Sequence, residues 1–129
     1  MRRTATVVLT IAALLVALSG AAMAATIVGN PWAETLTGTA NSDTISGKGS
    51  GDTLIGKGAN DFLYGNTGND GLYGEAGEDA LYAGPGNDAL HSVGDQDGDL
   101  VDCGSGTDSV QKGSDQNLDR FVNCERFVN

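Results

Sequence analysis

Histidine occurs once in this 129-residue chain, at His91, and cysteine only twice, at Cys103 and Cys124. That scarcity removes the nitrogen and sulfur ligand sets that zinc and copper prefer, and the interval between the two cysteines fits no zinc pattern. No Gly-x-Ser-x-Gly turn is present, and the single histidine has no nucleophile motif to serve, so no enzyme is expected. Positive charge is also sparse. Seven Lys and Arg stand against seventeen Asp and Glu, a formal net charge of −10. Such a surface repels nucleic acid and anionic lipid, and neither is expected as a partner. Beyond the first two dozen residues no apolar run could span a bilayer, so stable membrane insertion is not expected.

The one long apolar run lies at the N-terminus. Met1-Arg2-Arg3 is a basic start, Val7 to Leu18 is mostly apolar, and Ala22-Met23-Ala24 is a small-x-small site. In that order the segments read as a secretory signal peptide over residues 1–24, with cleavage between Ala24 and Ala25. The expected location is therefore secreted and extracellular. An exported chain meets oxidising conditions, and a Cys103–Cys124 disulfide follows as the natural pairing of the two thiols.

What the chain has in abundance is order. An aspartate returns every nine residues at Asp43, Asp52, Asp61, Asp70, Asp79 and Asp88. Two residues after each stands an apolar side chain: Ile45, Leu54, Leu63, Leu72, Leu81 and Leu90. Glycine opens most units, at Gly38, Gly47, Gly56, Gly65 and Gly74, with Ala83 in the last. An acidic, glycine-rich chain invites disorder, but disorder gives no reason to set Leu two residues after Asp again and again. A period this short points to a solenoid of stacked units.

Numbering each unit from its opening glycine puts the aspartate at position six and the apolar residue at position eight. The first unit, Gly29 to Thr37, has Glu34 in place of the aspartate and Pro31-Trp32 in its turn. With the residues before it, it reads as an N-terminal cap over 25–37. The repeats proper run over 38–111. Ser92-Val93 shifts the phase by two residues, after which Asp99 and Val101, then Asp108 and Val110, restore it. Residues 112–129 form the expected C-terminal cap, with Asp119 and Phe121 as a worn last unit before Cys124. Glycines in the turns permit positive φ, and Asn60, Asn69 and Asn87 at position five fit the same demand.

These units resemble the RTX nonapeptide, the hemolysin-type calcium-binding repeat Gly-Gly-x-Gly-x-Asp-x-apolar-x. Position two departs from it at Lys48, Lys57, Asn66 and Glu75, and position four at Ser50 and Ala59. The resemblance implies an all-β fold, a parallel β-roll with two repeats per coil, here closed by a disulfide-linked C-terminal cap. Residues eighteen apart then lie about 4.8 Å apart in neighbouring coils. One column holds Glu34, Asp52, Asp70 and Asp88, and the other Asp43, Asp61, Asp79 and Asp99.

Stacked carboxylates repel, and the resemblance implies that several calcium ions relieve them. Calcium takes six to eight oxygens in flexible geometry, which carboxylates and turn carbonyls can supply, whereas magnesium demands a strict octahedron. The expected ligands are Asp43, Asp52, Asp61, Asp70, Asp79, Asp88 and Asp99, with Glu34, Asp108 and Asp119 at the worn ends. One inward side chain per strand is a thin core, so folding is expected to be coupled to calcium. At position nine, Tyr64 should stack on Tyr82 and Tyr73 on His91, as cross-strand packing or as a ladder for a glycan or cell-surface partner. The alternatives to a stand-alone calcium-binding protein are a calcium-dependent adhesion, matrix or carbohydrate-binding module, and an accessory part of a secreted toxin or enzyme.

Overall fold

The computed structural model describes residues 23–92, 96–113 and 118–128. The leader expected over 1–24 lies, but for its last two residues, outside them. The remainder is a parallel β-solenoid of about five turns. Its strands are β1 (Thr26–Val28), β2 (Thr35–Thr37), β3 (Thr44–Ser46), β4 (Thr53–Gly58), β5 (Phe62–Tyr64), β6 (Gly71–Ala76), β7 (Ala80–Tyr82), β8 (Ala89–Ser92), β9 (Leu100–Asp102), β10 (Ser109–Lys112), β11 (Arg120–Val122) and β12 (Arg126–Val128). Odd strands form one six-stranded sheet and even strands the other, so each coil contributes one strand to each face.

The register follows the period. Ile45 pairs with Leu63 and Leu63 with Leu81, while Leu54 pairs with Leu72 and Leu72 with Leu90. These pairs are eighteen residues apart, as two nonapeptides per coil require. After the phase shift the interval becomes twenty, with Leu81 opposite Val101 and Leu90 opposite Val110. The register survives the two added residues.

Alternation along so short a strand sends position eight inward and its neighbours outward. Leu36, Ile45, Leu54, Leu63, Leu72, Leu81, Leu90, Val101 and Val110 line up between the sheets as one continuous core. Fully burying one such side chain contributes about 1.5–3 kcal/mol, and each coil supplies only two. Every coil therefore depends on the coils beside it for cover.

Both ends reach further than the spacing indicates. β1 precedes the first recognisable unit and pairs with β3, so the roll begins at Ala25. Beyond Asp119, which leads into β11, and Phe121 within it, the chain makes a further short strand, β12, against β10. The Cys103–Cys124 disulfide joins the β9 and β11 ends of this last region. Phe121 and Phe127 meet edge to face, and the Lys112 ammonium sits 3.9 Å from the Phe127 ring centre. Together these contacts close the C-terminal end.

The turns correct one expectation. Left-handed backbone falls at position two (Lys48, Lys57, Asn66 and Glu75, φ 69 to 85) and at position four (Ser50 and Ala59, φ 70 and 65). The asparagines at position five lie outside this set. They act instead as acceptors between coils: Glu78 N–H donates to Asn60 Oδ1, Asn87 N–H to Asn69 Oδ1 and Thr107 N–H to Asn87 Oδ1.

Candidate metal centre

The position-six carboxylates come together as the period demands, but they point into the roll. Asp43, Asp52, Asp61, Asp70, Asp79, Asp88, Asp99 and Asp108 are all buried, none more than 3% exposed. Each sits just before a strand, where the chain turns inward to place position eight in the core. Glu34 and Asp119, at the ends, are only half-buried.

One oxygen of each aspartate serves the fold directly. Asp43 N–H donates to Asp61 Oδ1 at 2.7 Å, Asp52 N–H to Asp70 Oδ1 at 2.7 Å and Asp70 N–H to Asp88 Oδ1 at 2.7 Å. The ladder continues from Asp61 to Asp79, from Asp79 to Asp99, from Asp88 to Asp108 and from Asp99 to Asp119. At the start Ala25 N–H donates to Asp43 and Glu34 N–H to Asp52. Every carboxylate from Asp43 onward thus holds a backbone amide of the preceding coil. A buried amide left without an acceptor costs about 1–3 kcal/mol, so aspartate at position six is structural before it is anything else.

The second oxygen is different. Oδ2 of Asp52, Asp61, Asp70, Asp88 and Asp108 is buried and accepts no hydrogen bond. A buried anionic oxygen without a partner is strongly disfavoured. Burial accordingly pushes the carboxyls of Asp52, Asp61 and Asp88 up from 3.8 to about 6, against the pull of the amide each accepts and with the push of neighbouring acids. The neighbours are Asp70 and Glu34 for Asp52, Asp43 for Asp61, and Asp108 and Asp70 for Asp88. Burial raises Asp70 as well.

The surroundings of these oxygens match a hard cation. A Cβ on Gly47 would lie 2.6 Å from Asp52 Oδ2 and 3.0 Å from the Gly65 carbonyl oxygen, and one on Gly65 would lie 2.6 Å from Asp70 Oδ2 and 2.7 Å from the Ala83 carbonyl oxygen. Position-one glycine is thus kept for space: the carboxylate of its own unit and a carbonyl of the next coil crowd onto it. Among the described residues no three His, Cys, Asp or Glu side chains gather. Carboxylates strung singly along a column, with carbonyls between them, form an all-oxygen donor set of the kind calcium takes.

The two position-nine stacks form as expected. Tyr64 and Tyr82 lie 5.1 Å apart between centroids at 7°, and Tyr73 and His91 lie 4.2 Å apart at 8°. His91 Nδ1 also lies 2.8 Å from Gln111 Oε1. Each ring covers a face of the next, which leaves less π surface for a ligand and fits cross-strand packing.

Sequence reasoning found the aspartate columns. It missed the amide ladder through Oδ1 and the asparagine acceptors, because period alone does not say which way a side chain turns. It also missed Ser92, a buried residue at the phase shift whose hydroxyl donates to Asp119 Oδ2 at 2.5 Å.

Comparison with known proteins agrees with the geometry. Residues 29–63 and 55–90 match the family model of the RTX calcium-binding nonapeptide repeat, with four copies. No curated protein and no solved structure matches the chain. The stretch that matches carries the greater part of the buried aspartate columns, and residues 29–90 of this β-solenoid are RTX calcium-binding nonapeptide repeats.

Proposed function

We propose that the protein is a secreted calcium-binding module whose folding is coupled to the metal. Calcium is held by the position-six carboxylates Asp52, Asp61, Asp70, Asp79, Asp88, Asp99 and Asp108, together with turn carbonyls of neighbouring coils. The observation that carries this reading is the set of buried, unpartnered Oδ2 atoms of Asp52, Asp61, Asp70, Asp88 and Asp108. Calcium would supply the positive charge that each of these oxygens lacks. The protein supplies the frame: Oδ1 fixes the carboxylate against the preceding coil, and in the units of Asp52, Asp61, Asp70 and Asp79 the position-one glycine leaves room for it.

Coupling to folding follows from the same geometry. Without a cation the roll must bury a column of anions on a core of two apolar side chains per coil, so metal binding becomes part of the folding free energy. Export by the N-terminal leader delivers the chain to calcium-rich surroundings, and the Cys103–Cys124 disulfide belongs to the same compartment. The role is binding rather than catalysis.

Far-UV circular dichroism and calcium titration calorimetry test the reading. The chain should show little β structure in chelator, gain it on adding millimolar calcium, and take up several ions. Equal β content in both conditions, with no heat of calcium binding, would refute it.

A further inference from the structure

Resting on the calcium reading above, we infer that calcium does not occupy Glu34, Asp43 or Asp119, the outermost acids of the series, because hydrogen-bond donors take the metal's place there. Position six is acidic from Glu34 to Asp119, so the columns look uniform in sequence. Their second oxygens are not alike.

In the first unit Asn30 N–H donates to Glu34 Oε1 at 2.6 Å, and the Asn30 amide Nδ2 donates to Glu34 Oε2 at 2.7 Å. In the second, Asp43 Oδ2 accepts from Thr39 N–H at 2.5 Å and from the Thr39 hydroxyl at 2.9 Å, while Oδ1 takes Ala25 N–H at 2.7 Å. Both oxygens of both acids are therefore served. At the far end Asp119 is served as well, its Oδ1 by Asp99 N–H at 3.0 Å and its Oδ2 by Ser92. Between these ends stand the unpartnered Oδ2 atoms of Asp52, Asp61, Asp70, Asp88 and Asp108.

At the N-terminal end the residue at position two makes the difference. Asn30 and Thr39 occupy it in the first two units, and each offers its acid both a backbone amide and a side-chain donor. In the units of Asp52, Asp61, Asp70, Asp79, Asp88 and Asp108 the position is left-handed, at Lys48, Lys57, Asn66 and Glu75 and at Gly84 and Gly104 with φ 90 and 76. In the units of Asp52, Asp61, Asp70, Asp88 and Asp108 no donor reaches Oδ2. In these units position two sets specificity: a donor there gives an acid a metal-free partner, and a left-handed turn leaves the acid for calcium, while at Asp119 the Ser92 hydroxyl plays the donor's part. The end units close the roll without metal, which keeps the terminal coils from depending on an ion that only one neighbouring coil could help to hold.

Ion counting by native mass spectrometry on the disulfide-bonded chain in excess calcium tests this. Asp61→Asn should lower the number of bound ions by at least one. Asp43→Asn and Asp119→Asn should leave it unchanged; at position 119 the amide oxygen still accepts Asp99 N–H, while at position 43 one of the two backbone donors, Ala25 or Thr39, loses its acceptor. Glu34→Gln, at a half-buried acid, repeats the test should Asp43→Asn fail to fold. Loss of an ion in Asp43→Asn, Asp119→Asn or Glu34→Gln overturns the partition and leaves the calcium reading standing. A wild-type chain that binds no calcium overturns both.

Discussion

Replacing Asp70 with asparagine separates the two jobs of a position-six carboxylate. The amide oxygen can still accept Asp52 N–H, now held by Asp70 Oδ1 at 2.7 Å. What disappears is the charge on Oδ2. In the metal-free chain that charge faces an acid on either side, Asp52 and Asp88, at about the 4.8 Å spacing of strands. Each repulsion amounts to roughly 1 kcal/mol in water and about 3 kcal/mol at an intermediate dielectric. Removing the charge therefore relieves about 2–6 kcal/mol in the absence of calcium. The new amide nitrogen also shares the space above Gly65 with the Ala83 carbonyl, to which it can donate. In calcium the sign reverses, because a ligand oxygen has been lost. Alanine at the same place loses both jobs, and the stranded Asp52 amide costs about 1–3 kcal/mol in either condition. Circular dichroism ranks the three proteins, by residual β content in chelator and by urea unfolding in saturating calcium. In chelator Asp70→Asn should match or exceed wild type, with Asp70→Ala below Asp70→Asn by the stranded amide. In calcium the order should be wild type, then Asp70→Asn, then Asp70→Ala. An Asp70→Asn protein that loses as much stability in chelator as in calcium would show that the charge is not what calcium answers.

The pH dependence has a definite sign. Asp52, Asp61 and Asp88 rise from 3.8 to about 6 in the metal-free fold, so that fold binds protons more tightly than the unfolded chain. Their contribution is fully present below about 4 and is lost as pH rises through about 6; β content in chelator should fall over that window, while calcium affinity measured by titration should climb. Ala59→Gly relieves a left-handed alanine at φ 65 and should stabilise the calcium-loaded protein by about 1 kcal/mol in thermal unfolding. Gly77→Ala should do the reverse by more than about 2 kcal/mol, since φ is 123 and the new methyl would strike the Ala59 carbonyl. Reducing the Cys103–Cys124 bond, which spans 21 residues, should cost about 3 kcal/mol in the chain-entropy model. Hydrogen exchange should place that loss in β9 to β12, and a loss spread evenly over the roll would contradict the disulfide's assignment to the C-terminal end.

The strands were legible because one side chain per nine defines them. Leu63 and Leu72 announce an inward position, and the eighteen-residue register follows once two units make a coil. The stacked pairs Tyr64–Tyr82 and Tyr73–His91 follow from the same register. β1 and β12 were less visible. Ala25 stands where an aspartate would, and only three residues separate β11 from β12, so neither end keeps the spacing that marks a unit. The position-five asparagines were found but misread, because a residue that tolerates left-handed backbone is also a good acceptor, and composition does not choose between the two.

By itself, then, the sequence determined the period, the inward side chains, the two acidic columns and the oxygen-rich chemistry of the turns. All of these depend on residue type and spacing along one strand or turn. Tertiary structure alone decided what each carboxylate oxygen meets. The amide that binds Asp70 Oδ1 belongs to Asp52, one coil away, and the hydroxyl that binds Asp119 Oδ2 belongs to Ser92, at the phase shift. Whether Oδ2 of Asp43 or Asp61 finds a donor turns on the backbone at position two, left-handed at Lys57 but able to offer its amide at Thr39. Identical aspartates at identical spacing thus end in different electrostatic surroundings, because a hydrogen bond is set by where its donor lies in space.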